Sequence, residues 1–104
     1  MNEQYRQGDV LLIRVDCEIP PDAKPIPRED GKIVLAHGEA TGHAHTIKNR
    51  AAKFFETKDR RILALPRPAI LEHHEHARID LPTGTYEVIR QREYSPEAIR
   101  NVAD

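Results

Sequence analysis

The chain has 104 residues, which suits one compact domain and leaves little room for two. Its net charge of −1, with 32% charged residues, describes a mixed surface and gives no global electrostatic argument for nucleic acid. The single cysteine, Cys17, excludes an internal disulfide and a four-cysteine zinc site.

The opening NEQYRQGDV is polar and lacks the pattern of a secretory signal. The apolar runs VLLI and RILAL fall far short of the ~20 residues of a membrane helix. A cytoplasmic protein is therefore expected. Hydrophobic residues make up 38% and tryptophan is absent, so the core is lean. Such a composition often goes with oligomerisation or with a bound ion that adds stability.

In chain order, GDVLLIRVD (8–16) is the first strand, rich in Val, Ile and Leu and bounded by Gly8-Asp9. Leu11, Ile13 and Val15 form an all-apolar face, while Val10 and Leu12 share theirs with Arg14, so the odd-numbered set is expected to face the core. Residues 19–31 carry Pro20, Pro21, Pro25 and Pro27 and are expected to form an extended loop, because proline fixes φ and cannot donate to a ladder. Strands follow at 32–39, 42–47, 52–57 and 60–65, the last two joined through Lys58-Asp59. AILEHHEHARIDL (69–81) forms one long or two short strands, and 84–94 is entered through the turn LPTG. Ser95, Pro96 and Glu97 then read as N-cap, first helical position and first turn of a short C-terminal helix over about 95–103. The expected fold is mainly β, a small antiparallel barrel or sandwich of six to eight short strands with one C-terminal helix, in a single domain over 1–104.

All six histidines lie in two segments, HGEATGHAH (37–45) and LEHHEHARI (71–79). On a strand, alternate side chains share a face, so His43 and His45 lie side by side. A regular second strand pairs His74 with His76 and adds Glu72. A bulge there pairs His73 with His76 instead. Neutral imidazoles with a carboxylate suit Zn, Fe, Ni, Cu or Mn. The competing reading is a solvated, charged strand face.

The glycine-preceded His43-Ala44-His45, with Gly38 upstream, resembles the His-x-His motif of the cupin family of small metal-binding β-barrels. Leu81, Pro82 and Gly84 of LPTGTYEV resemble the opening of that family's second motif. The pattern departs where no glutamate follows His45 before Glu56, and where Glu87 stands in place of the last histidine. The resemblance implies a metal-binding barrel with His43 and His45 as the matched ligands. The chain also resembles short bacterial or phage-borne proteins, a likeness that implies no activity.

The leading expectation is a small metal-binding barrel. His43, His45 and His76 are the first-choice ligands, with His74 or His73 completing the set. If the site is catalytic, a metal-activated water or bound oxygen supplies the chemistry. Glu72 or Glu75 is then the candidate base, and Arg92 with Tyr94 the contacts for a small-molecule substrate. The alternative is a non-enzymatic, homo-oligomeric interaction module binding protein or, less favoured, nucleic acid. Arg90, Arg92 and Arg100, with Lys58, Arg60, Arg61 and Arg67, are candidates for an anion or nucleic-acid patch, but the neighbouring Glu87, Glu93 and Glu97 argue that they are mostly in surface ion pairs.

Overall fold

A computed structural model describes residues 3–37 and 44–90. The expected C-terminal helix lies outside these residues, as do His43, Arg92 and Tyr94. The described strands are β1 (Gln4–Gln7), β2 (Val10–Val15), β3 (Lys24–Pro25), β4 (Ile33–His37), β5 (Ala44–Ile47), β6 (Lys53–Glu56), β7 (Arg61–Leu65), β8 (Ala69–Glu72), β9 (Ile79–Leu81) and β10 (Gly84–Arg90). They form two antiparallel sheets, one in the order β1-β2-β10-β7-β6-β3 and one in the order β4-β5-β8-β9. Neither sheet closes on itself, so the barrel alternative gives way to two open sheets sharing one core.

The strand count exceeds the expected six to eight because two polar or proline-bearing segments also pair. Strand β1 escapes hydrophobic patterning because Gln4, Arg6 and Gln7 are polar, yet it pairs with β2 through all four of its residues. The turn between them is Gly8-Asp9. Gly8 has φ +59° and Asp9 does not share the positive φ, the signature of a II′ hairpin that suits a glycine in first place. Within the proline-rich loop, Lys24 and Pro25 pair with Glu56 and Phe55 at the sheet edge, where proline's missing N–H is tolerated.

The core draws on both sheets. Val10, Leu12, Leu63, Leu65, Tyr86 and Val88 from the larger sheet meet Ile33, Leu35, Ile47, Leu71 and Leu81 from the smaller. The face expectation for the first strand is thus corrected. The even set, Val10 and Leu12, enters this core, while Leu11 is buried outside it. Arg14 does not disqualify the even face, because it sits near the strand's end and its guanidinium reaches Glu3 at 3.2 Å.

The inter-sheet region beside β4 is closed by arginine rather than by more apolar surface. The register of β4 against β5 shifts between Val34 and Ala36, a bulge at Leu35. The Leu35 carbonyl accepts from Arg61 Nη1 at 2.6 Å, and Arg90 Nη2 donates to the His37 carbonyl. Both arginines thereby tie the larger sheet to β4.

Tyr86 is fully buried, stacks edge-on against Tyr5 with ring centroids 5.9 Å apart, and donates its hydroxyl to the Pro82 carbonyl at 2.6 Å. Tyr86→Phe is expected to cost about 0.5–1.5 kcal/mol, the net worth of one such bond. Leu63→Ala is expected to cost about 2–5 kcal/mol, because it opens a cavity in the core. Urea unfolding of the two variants measures both, and the ordering should hold.

Candidate functional site

Three pieces of chain converge on His45. The β1–β2 hairpin brings Gln7, Gly8 and Asp9, β5 brings His45 itself, and the segment between β8 and β9 brings His73 and His76. His45 is 2% exposed and Gln7 is 2% exposed. A polar pair buried this deeply must be satisfied, and the way it is satisfied determines the chemistry.

The Gln7 side-chain amine donates to the Leu71 carbonyl at 3.1 Å and to the Ala77 carbonyl at 2.9 Å. Only the NH2 end can serve two carbonyls, so the amide orientation follows from its partners. Its oxygen then faces His45 Nδ1 at 2.8 Å, and Nδ1 must carry the proton and donate. In the neutral ring Nε2 is left with a lone pair. That nitrogen lies 3.3 Å from Asp9 Oδ1.

Asp9 Oδ2 in turn accepts from Arg90 Nε at 3.0 Å. Burial opposes ionisation of Asp9, but the Arg90 hydrogen bond and charge outweigh it, and the carboxyl stays below its usual range. Burial first, and then the charge of His73, push His45 down to about 4, against the partial opposition of Asp9.

The rings of His45, His73 and His76 lie together. Centroids are 4.3 Å apart for His45 and His73, 4.6 Å for His73 and His76, and 6.1 Å for His45 and His76. A side chain at Gly8 would come within 2.7 Å of His76 Nε2 and 3.3 Å of His45 Cε1, so glycine serves here both for its φ and for the room it leaves. His73 Nδ1 accepts from the backbone N–H of Glu75 at 3.0 Å and of His76 at 3.3 Å. Its Nδ1 is therefore unprotonated, and a neutral His73 holds its proton on Nε2. Among the described residues, no group of three or more His, Cys, Asp and Glu is already arranged to hold a metal ion.

The structure sorts the residues named from sequence. Regular strand ends at Glu72, so alternation does not extend through 73–76, and His76 meets His73 across a loop rather than across a bulge. His74 and Glu75 are exposed in that loop. Glu72 pairs with Thr46 across the sheet, on the opposite face from the neighbouring His45, and reaches Lys48 at 3.8 Å. His37 ends β4 in an exposed pairing with Glu29 at 3.0 Å.

The family model described as Domain of unknown function (DUF8820) matches residues 6–91. The chain belongs to the DUF8820 family. Every described residue of this DUF8820 site, from Gln7 to Arg90, falls inside the match. No curated protein and no solved structure matches the chain.

Sequence reasoning missed Gln7 and Asp9 and counted Arg90 only as one surface arginine among several. The Gly8-Asp9 pair before an apolar strand is a hairpin signal that sets Gln7 opposite Val10, but nothing in it shows that Gln7 is buried or that Asp9 meets a histidine.

The depressed His45 value makes a pH prediction. An unfolded histidine titrates near its ordinary 6.5 and folded His45 at about 4, so the unfolded chain takes up the proton first as pH falls. This group leaves stability unchanged above pH 6.5 and lowers it between 6.5 and about 4, by up to about 1.4 kcal/mol per pH unit. Asp9, lowered from 3.8, adds its loss only below that range. Urea midpoints of ligand-free protein should fall through this window, and His45→Gln should flatten the fall.

Proposed function

We propose that this DUF8820 chain binds a divalent transition metal at His45 Nε2 and Asp9, with neighbouring histidines completing the site. The facing pair of acceptors carries the reading. Gln7 turns the His45 lone pair onto Nε2, and a carboxylate oxygen lies 3.3 Å from it. Two electron-pair donors so placed repel unless a cation lies between them. Imidazole nitrogen and carboxylate oxygen are ligands shared by Zn, Fe, Ni, Cu and Mn. A buried imidazole whose second nitrogen donates to a fixed oxygen is also how proteins orient ligating histidines.

His76, packed against Gly8, is the next ligand. His43, two positions before His45 in the sequence, is the fourth candidate. His73 joins only if its Nδ1 releases the Glu75 and His76 amides, because a neutral ligand bound through Nε2 carries its proton on Nδ1. His74 ranks last among the histidines. Binding, in the cytoplasm, is the function assigned. Were an open position to hold water, the metal would lower its pKa, and Glu75, on the same loop as His76, would outrank the outward-facing Glu72 as base.

Elemental mass spectrometry of untagged protein, before and after reconstitution with each of the five metals, tests the reading. One metal per chain is expected. Asp9→Asn and His45→Ala should each weaken it by at least about 10-fold, a loss at the lower end of that caused by disturbing metal-site support. A wild-type protein that takes up none of the metals overturns it. The open sheet edges β1, β3, β4 and β9 would then be the places to seek a second copy or a protein partner.

A further inference from the structure

Arg90, whose Nε donates to Asp9, also lines a cavity of about 390 Å³ bounded by the β6–β7 hairpin and by β10. Lys58, Arg60, Arg61 and Arg90 line it, with Glu56, Asp59 and Glu87 as the acidic members. We propose that this cavity binds the phosphate or carboxylate group of a small molecule through Arg61 and Arg90.

Among the described residues, no acidic side chain lining the cavity pairs with Arg61 or Arg90, whose one carboxylate partner is Asp9, beyond the lining. Glu87 is engaged by Arg60 at 3.6 Å. Asp59 lies in the β6–β7 turn, where the hydroxyl of Thr57 accepts from the N–H groups of Asp59 and Arg60. Glu56 sits opposite Arg61 in the strand register, yet no described carboxylate comes within ion-pair distance of Arg61. A guanidinium carries about five N–H donors. The protein takes one from Arg61, for the Leu35 carbonyl, and two from Arg90, for Asp9 and the His37 carbonyl. Those bonds hold both planes in place. Among the described residues, the other N–H groups of the two arginines have no recorded protein acceptor.

The two guanidinia also bear on each other. Burial, and then the charge of Arg90, lower the Arg61 pKa from its ordinary value, against partial opposition from Glu56. An anion bridging two partly desolvated like charges relieves that repulsion, and paired N–H groups match the oxygens of phosphate or carboxylate. Arg90 connects this cavity to Asp9, and hence to the His45 site, but the anion site needs no metal.

The test is isothermal titration of the full, chelator-treated chain with inorganic phosphate and, separately, with succinate. Saturable binding of at least one is expected, with a Kd of about 1 mM or tighter. The two arms tell a phosphate site from a carboxylate site. Arg61→Met should weaken binding by about 10-fold or more, and Arg61→Lys, which keeps the charge but loses the fork, should fall between. Arg67→Ala, outside the cavity, should bind like wild type. If Arg61→Met unfolds by circular dichroism, Arg61→Lys carries the comparison. Absence of saturation by either anion in the wild type overturns the proposal, as does equal binding by the Arg61 and Arg67 variants. Metal content plays no part in the readout, so this inference can fail while the metal reading stands, and the reverse.

Discussion

The buried side-chain amide of Gln7 is the contact on which the site depends. It lies on the edge strand of the larger sheet, yet it donates to carbonyls at either end of the 71–77 segment and accepts from His45 of the smaller sheet. One group therefore joins both sheets and the histidine loop. A buried amide satisfied at both ends cannot rotate without leaving a donor or acceptor unpaired, a loss of about 1–3 kcal/mol for each group left bare. That penalty orients the imidazole, and with it the Nε2 lone pair directed at Asp9.

Arginines play a similar part elsewhere. With two phenylalanines and no tryptophan, the chain has little aromatic bulk with which to close its edges. Arg61 and Arg90 instead take carbonyls of β4, and Arg28 takes those of Gly31, Asn49, Arg50 and Ala52. Hydrogen bonds from a charged donor to backbone oxygen contribute about 1.5–3 kcal/mol, more than neutral ones. The Arg28 contacts hold the proline-rich segment against the 49–52 turn, so a loop that looked unattached in sequence is anchored at its end.

The Arg90–Asp9 ion pair joins the proposed anion site to the proposed metal site. Arg90 keeps Asp9 ionised and directs one carboxylate oxygen away from the histidines, while the other faces them. The proposals are thus coupled in structure and separable in experiment.

The amino-acid sequence alone pointed to the β class, because its apolar runs of four to eight residues are too short for helices, rich in β-branched residues and leucine, and separated by Gly, Pro and Asp turns. It also placed the Lys58-Asp59 hairpin and confined the histidines to two segments. Which histidines meet was decided by tertiary structure. Alternation assumed that strand continues through 73–76, whereas pairing stops at Glu72 and the loop folds back onto the Gly8 turn. Periodicity describes neighbours along one strand, and this site is made by three segments far apart in the chain. Gln7, Asp9 and Arg90 were illegible for that reason: as single polar residues on strands and turns they look like solvated surface. Only the packing of one sheet against the other shows that Gln7 is buried and that its partner is an imidazole.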